Sequence, residues 1–271
     1  MTKLKESLAS KLTKKQLCLL PASFDIVGSI AIFNEIPIGL KSKEKIIGDT
    51  ILKNHLNIKT VAKKTGNYTG KYRLPKIKII AGKRTKETIH KESNIQAKLH
   101  VEKCYFSARS SNERLRISSL VKEDESILVM FSGIAIFPLV ISKNSKTKEI
   151  YAIEINPIAH KYAQENLELN KIKNIKLFLG DVKDIIPKIK KKFDRIIMPL
   201  PKSAEDYLDL LKKVSKKNTT IHFYDFSQKK DFPDESINKI KSKIKNIKIL
   251  NSVKCGHYSP FTYRVCIDFN L

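Results

Sequence analysis

Four places in this 271-residue sequence end an apolar run with residues able to hold a small polar ligand. At Phe131-Ser132-Gly133-Ile134-Ala135, Gly133 permits a positive φ, and the small side chains around it let a ligand lie against the backbone. Glu154, with Ile155 beside it, closes a second run, where its carboxylate can accept from both hydroxyls of a ribose; taken singly it also reads as a surface acid. Asp181 follows Gly180 and can accept from an adenine amino group while Val182 donates its N–H; it equally suits a helix N-cap. The fourth place, Met198-Pro199-Leu200-Pro201, is a rigid loop. The glycine pattern is not a full GxGxxG and no GKS/T follows it, which argues against nicotinamide dinucleotides and ATP.

For these residues to meet, each must stand at a strand end of one sheet. From about Cys104 onward, strand and helix patterns alternate. Strands are expected at 126–131, 149–155, 175–179, 195–198, 219–223, 247–254 and 263–269, and helices at 113–121, 157–170, 204–214 and 234–244. Asn156 suits the N-cap and Pro157 the first position of the 157–170 helix. This is the α/β doubly wound grammar, with the last two strands adding an antiparallel strand at one edge. Ligands in such sheets sit beyond the carboxyl ends of the strands. A small-residue loop, an acid, an aspartate and a proline loop at four successive ends fit adenosyl binding in a Rossmann-like class I methyltransferase.

The front of the chain reads as a smaller α+β unit. It has a basic helical start broken at Leu20-Pro21, one strand over 24–33 bulged at Gly28, a helix over 43–55, and short strands at 57–64, 76–81, 85–90 and 95–101. The expected division is a basic N-terminal segment 1–20, a small α+β domain 21–103, and the α/β domain 104–271.

Charge points to the partner. Lys and Arg number 53 against 27 Asp and Glu, a net charge of +26, and the usual polyanion of a cytosol is nucleic acid. Some of the excess fits a lysine- and isoleucine-rich composition, but the acidic residues have not risen to match. Lys59, Lys63, Lys64, Lys71, Lys83 and Arg84 suit backbone phosphates, although each alone also reads as a solvated side chain. Cys18, Cys104, Cys255 and Cys266 are far apart, with no CxxC and no clustered histidines, which argues against zinc or a disulfide scaffold. No stretch approaches the roughly 20 apolar residues of a membrane helix. The N-terminus lacks a secretory h-region, so a cytoplasmic protein without membrane or metal is expected.

Five segments carry a family resemblance: Cys104-Tyr105-Phe106-Ser107-Ala108-Arg109, Asn112-Glu113-Arg114-Leu115-Arg116-Ile117, Met130-Phe131-Ser132-Gly133-Ile134, Ala152-Ile153-Glu154-Ile155-Asn156-Pro157 and Asp194-Arg195-Ile196-Ile197-Met198-Pro199-Leu200-Pro201. In this order they resemble the archaeal tRNA (guanine-37-N1)-methyltransferases, and the likeness extends from Ser23-Phe24-Asp25 to Tyr263-Arg264-Val265 and beyond. The resemblance implies S-adenosylmethionine as donor, tRNA as partner and transfer to the base next to the anticodon. It implies Glu113 as the general base for the guanine N1 proton, Arg73 as the cation at guanine O6, and Tyr105 and Phe131 along the donor pocket. Read as residues alone, Glu113 is a helix acid able to pair with Arg116 or Arg109. Arg73 could equally meet a phosphate, Arg114 could position or bind phosphate, and the two aromatics could be core. Many relatives carry a further N-terminal domain, for which the twenty residues before Pro21 leave little room.

Two positions depart from the family pattern. Relatives commonly have Asn where this sequence has Pro199, and Asp where it has Val129. Proline offers the base no side-chain hydrogen bond and no N–H. The Pro-Leu-Pro form is similar to a subgroup that also methylates C7 of 4-demethylwyosine, the tricyclic base made from that guanosine in tRNA(Phe). The expected activity is therefore N1 methylation of guanosine 37 together with C7 methylation of the tricyclic base, by a monomer acting on the anticodon stem-loop. The competing readings are the wyosine-pathway aminocarboxypropyl transferase, which moves the other arm of the same donor, and a non-catalytic tRNA-binding protein.

Overall fold

A computed structural model describes residues 2–66 and 70–271, which divide into two compact units: Met1–Lys91 with Gln96–Ala108, and Glu92–Ile95 with Arg109–Leu271. In the first unit, helices α1 (Thr2–Leu8) and α2 (Lys14–Cys18) precede strands β1 (Asp25–Val27) and β2 (Ile30–Phe33), helix α3 (Glu44–Asn54), and strands β3 (Thr60–Lys64) and β4 (Ile77–Gly82). The four strands lie in sequence order in one sheet, with β2 and β3 parallel across the α3 crossover. Strands β5 (Glu87–Glu92) and β6 (Ile95–His100) form a separate two-stranded ribbon.

The N-terminal run does not stand apart as a segment of its own. It is two short helices, the second started by a reciprocal Thr13–Gln16 capping box, and Leu4, Leu8, Leu12 and Leu20 share one core with Phe33, Ile47 and Ile51. The single bulged strand expected over 24–33 is instead a hairpin. Val27 pairs with Ile30, and the chain reverses at Gly28, whose φ is +54°. A Cβ there would lie 2.3 Å from Thr88 Oγ1 and 2.4 Å from Ile89 O, so only glycine turns at this point.

The second unit is a seven-stranded sheet. Its elements are α4 (Ser111–Ser119), β7 (Ser126–Val129), α5 (Ile136–Asn144), β8 (Glu149–Glu154), α6 (Pro157–Asn170), β9 (Ile175–Leu179), α7 (Val182–Ile185), β10 (Phe193–Met198), α8 (Leu211–Val214), β11 (Ser215–Gln228), α9 (Asp234–Lys243), β12 (Lys248–Ser259) and β13 (Thr262–Asn270). The strand order is β12-β13-β11-β10-β7-β8-β9. Strands β7 to β11 are parallel, and the order reverses between β7 and β10, which places a crevice at their carboxyl ends.

Three expectations change here. The antiparallel strand is not at the edge: β13 lies second from it, antiparallel to both β11 and β12. Residues Val265 to Phe269 of β13 are buried on both faces and need a strand on either side, whereas β12 is half exposed along its length and takes the edge. The strand expected at 219–223 runs from Ser215 to Gln228, because β13 pairs along it from Thr220 to the end. The helix expected over 204–214 is a 3₁₀ stretch, Ala204–Leu210, continued by α8.

The two faces of this sheet differ. One packs Leu128, Met130, Ile196, Met198, Ile221, Phe223, Ile267 and Phe269 against Val182, Leu211, Val214 and Ile240. Side chains alternate along a strand, so the opposite face carries Arg195, His222, Tyr224, Cys266 and Asp268, all buried.

Candidate active site

The loop after β7 is built from three left-handed residues: Phe131 (φ 56°), Gly133 (φ 58°) and Ala135 (φ 64°). Such backbone is costly for residues bearing a Cβ and persists where the surroundings fix it. What fixes it is Glu154 at the end of β8. Its Oε2 accepts from the Gly133 N–H at 2.7 Å and its Oε1 from the Asn156 N–H at 2.7 Å. Ser132 N–H donates to Ile153 O at 2.9 Å, tying the loop to the same strand end. Burial raises the Glu154 carboxyl above its ordinary range, against the opposing effect of those N–H donors. Ile155 N–H also lies against this carboxylate, and the lone pairs that these N–H groups leave open could take hydroxyls of a ligand. Ser132 Oγ, buried and without a hydrogen-bond partner among the described residues, is a polar atom such a ligand would satisfy. These are the features that an adenosyl donor requires, and they fit it.

Around this cradle stand the other expected residues. Asn156 caps α6, accepting from Ile158 N–H at 3.0 Å, and Asp181 caps α7, accepting from Lys183 N–H at 2.9 Å. Val182 opens α7 and is buried, and Ile155 is half-buried. The rigidity of the proline loop is visible in a tight turn at Pro199, where Leu200 N–H donates to Met198 O at 2.8 Å. Phe131 is half-buried and packs edge-on against Tyr207 with ring centroids 4.8 Å apart.

A second cluster forms on α4. Glu113 is buried and carries three hydrogen bonds: Arg116 Nε donates to Oε2 at 2.8 Å, Arg116 Nη2 to Oε1 at 2.8 Å, and the Tyr224 hydroxyl to Oε1 at 2.6 Å. Parallel pairing of Met198 with Phe223 puts Pro199 and Tyr224 one step further along, both at the carboxyl edge of the sheet. The Tyr224 ring also meets Phe137, in the first turn after the Gly133 loop, at 5.9 Å. Glu113 therefore sits at the strand ends, beside the loop that forms the cradle.

Arg114, its neighbour, is buried in a bidentate pair with Glu92 at 2.5 and 2.6 Å. Its guanidinium holds the Glu92–Ile95 turn to α4 and is covered from solvent, so of its two readings the geometry suits positioning and not phosphate contact. Arg73 and Tyr105 belong to the first unit. Arg73 has a φ of 51°, and Tyr105 is 42% exposed.

Behind Glu113 runs a buried polar chain that sequence reasoning did not find. Arg116 Nη1 donates to Asp268 at 2.7 Å, Asp268 meets His222 Nδ1 at 2.6 Å, His222 Nε2 meets Arg195 at 2.7 Å, and Arg195 forks onto Glu125 at 2.7 and 2.9 Å. A signal was present: polar residues recur at every second position, His222 and Tyr224 in one strand, Cys266 and Asp268 in another, inside strands otherwise apolar. The histidine tautomer follows from its partners. A guanidinium can only donate, so Nε2 accepts and Nδ1 carries the proton toward Asp268, leaving the ring neutral. Burial drives the His222 pKa down in the same sense, while Asp268 is held well below the carboxylate range by His222 and Arg116 against its own burial. A ring nitrogen of His222, the sulfur of Cys266 and a carboxylate oxygen of Asp268 lie within 4.8 Å of one another. Arg116 and Arg195 already place positive charge on that group.

A pH effect on stability follows. The unfolded chain protonates His222 near pH 6.5 while the folded chain does not, so its contribution is complete above that pH and declines below it. Each pH unit below 6.5 should cost about 1.4 kcal/mol for this residue until its folded pKa is reached. The partly buried His100 and His160, also lowered, add in the same direction. Urea unfolding at pH 7.5 and 5.5 should show the loss, and His222→Gln should shrink the difference by about one proton's worth.

Comparison with known proteins gives matches along most of the chain. Residues 88–250 match the TRM5/TYW2 methyltransferase domain, and residues 4–85 match the TYW2 N-terminal domain. The chain is 38% identical to the tRNA (guanine(37)-N(1))-methyltransferase Trm5b of Pyrococcus abyssi, over 93% of this chain and 76% of that protein. It is 32% identical to the tRNA (guanine(37)-N(1))/4-demethylwyosine(37)-methyltransferase Taw22 of Nanoarchaeum equitans, over 92% and 99%. It is 34% identical to the tRNA(Phe) (4-demethylwyosine(37)-C(7)) aminocarboxypropyltransferase of Methanocaldococcus jannaschii, over 75% and 82%. Among solved structures, a complex of aTrm5 with tRNALeu superposes with a TM-score of 0.86 at 29% identity, over 99% of this chain and 78% of that one. Methanocaldococcus jannaschii TYW2 in complex with AdoMet superposes at 0.68 and 26% identity, over 92% and 98%.

Proposed function

Because the chain belongs to the TRM5/TYW2 methyltransferase family, we propose that it transfers the methyl group of S-adenosylmethionine to the base at position 37 of tRNA. The observation that carries the reading is Glu113, a buried carboxylate held at the strand ends beside the Gly133–Glu154 cradle. Bound there, S-adenosylmethionine supplies an electrophilic methyl carbon on a positively charged sulfur.

The protein's own part begins with the cradle. Glu154 accepts from the ribose hydroxyls, and Val182 and Asp181 meet the adenine. The target base must leave the stack to reach the pocket, because its edge is otherwise covered. Glu113 takes the N1 proton, and the electron pair of the broken N–H bond stays on N1 to form the new N–CH₃ bond. The sulfur leaves with the electrons of its methyl bond as a neutral thioether. Charge that builds on guanine O6 is met by Arg73, the role that its family match suggests. No covalent enzyme intermediate is needed.

Pro199 favours a second substrate. With no side-chain donor at this strand end, the pocket floor is apolar and rigid, which suits the flat tricyclic base 4-demethylwyosine and methylation of its electron-rich C7. We read tRNA(Phe) as the shared substrate, the small domain as a contact for the anticodon arm, and the cytoplasm as the site of action. The working unit is a monomer, since the cradle and Glu113 lie on one chain. The test is mass analysis of nucleosides after incubation with the donor and two tRNA substrates, one with guanosine at position 37 and one with the tricyclic base. Gain of one methyl group on each is expected. Methylation of guanosine alone would remove the dual specificity, and gain of an aminocarboxypropyl group would replace the reading by its rival.

A further inference from the structure

Resting on the reading of Glu113 as base, we propose that Tyr224 is a positioning residue for the reaction: with Arg116 it fixes the carboxylate so that Oε2 receives the substrate proton. A carboxylate oxygen has about two lone-pair positions. Oε1 has both filled, by the Tyr224 hydroxyl at 2.6 Å and Arg116 Nη2 at 2.8 Å. Among the described residues Oε2 receives only Arg116 Nε, at 2.8 Å, which leaves one position open. The clamp thus distinguishes two oxygens that are chemically equivalent, and it aims the open lone pair.

The clamp is itself held from behind. Arg116 is fixed by Asp268 at 2.7 and 3.4 Å, Asp268 by His222, and His222 by Arg195. The Tyr224 ring is set by Phe137. The direction of the tyrosine bond is unambiguous, because an ionised carboxylate only accepts. Burial and nearby acidic groups keep the phenol protonated far above neutral pH. The other titratable groups around Glu113 are Arg116 on its own helix, His222 on β11, Cys255 on β12, and Cys266 and Asp268 on β13. The thiols stay uncharged: burial pushes Cys255 up to about 12 and Cys266 higher than its ordinary value. Tyr224 is therefore a donor that stays neutral and protonated, filling its place on Oε1.

The test is the pH dependence of single-turnover methyl transfer to a transcript with guanosine at position 37. Tyr224→Phe keeps the ring and its packing but removes one of the donors that favour the charged form of a carboxylate. The acid limb should move to higher pH, with the rate reduced severalfold on that limb and recovering toward the parent above it, and with tRNA and donor affinities unchanged. Placing 3-fluorotyrosine at 224 keeps the hydroxyl and strengthens it as a donor, so the limb should move the other way. A loss equal at every pH, or no loss, in Tyr224→Phe would overturn the proposal, as would an unmoved limb with 3-fluorotyrosine. Glu113→Gln separates the two levels. If it is as active as the parent, the base assignment falls and this inference with it; if it is inactive while the tyrosine variants leave the limb unmoved, only this inference falls.

Discussion

Glu113→Gln should lower the single-turnover rate of methyl transfer to guanosine 37 by about 10²- to 10⁴-fold, the usual contribution of a positioned general base. Glutamine is nearly isosteric and can still accept from Arg116 or Tyr224, so the α4 helix should keep its place. What is lost is the capacity to take a proton. The guanine N1 lone pair is unavailable until that proton leaves, so the loss falls on the chemical step and not on binding. Donor affinity and tRNA affinity, measured by calorimetry and filter retention, should change less than about threefold, because Glu113 holds neither ligand's bulk. A parallel loss of donor binding would indicate that the substitution had collapsed the buried chain through Arg116, Asp268 and His222.

The second large effect belongs to Glu154→Ala. Two things go at once. Hydrogen bonds from ribose hydroxyls to a charged acceptor are worth about 1.5–3 kcal/mol each, so losing two should lower donor affinity by about 10²- to 10⁴-fold. The Gly133 and Asn156 N–H groups also lose the carboxylate that now accepts from each at 2.7 Å. A buried donor left without a partner costs about 1–3 kcal/mol. The loop with its left-handed Phe131 and Ala135 would lose its anchor, and thermal unfolding of the ligand-free protein should show the deficit directly. Glu154→Gln should be milder, since the amide oxygen can serve one of the two N–H groups. Loss of donor binding with unchanged stability would show that the carboxylate meets the ribose but does not hold the loop.

Much of the second unit was legible because its signals are local. Helix α6 runs over Pro157–Asn170 as expected, since Asn156 and Pro157 mark its start through capping and a fixed φ. Strand β9 is likewise as expected, an apolar run closed by Gly180. The strand ends carrying Gly133, Glu154 and Pro199 could be placed because parallel strands buried on both faces read as continuous apolar runs, and that before Asp181 because Gly180 closes it. Other features depended on distant partners. The ends of β11 hold polar residues that look like loop until distant strands pair with them, β10 at Ser215 and β13 as far as Gln228. Gly28 in an apolar run looks the same whether it bulges one strand or turns between two, and Thr88 and Ile89, about sixty residues on, occupy the space that makes it a turn.

The site divides along the same line. Arg116 stands three residues from Glu113 on one helix, so that pair was readable from spacing. Tyr224 and Asp268 reach the same cluster from 111 and 152 residues away; the polar alternation in their strands marks them as unusual but does not say which helix they meet. Arg114 was open between phosphate contact and positioning, and it is Glu92, at the end of β5 22 residues earlier, that covers its charge.

The relative named as an aminocarboxypropyltransferase makes the choice of donor arm the point on which the account turns. The direct measurement uses S-adenosylmethionine carrying tritium on its methyl group, incubated with the protein and tRNA, followed by digestion to nucleosides. Label in the nucleoside from position 37 is the result expected. Label retained in 5′-methylthioadenosine, with unlabelled but modified tRNA, would contradict it.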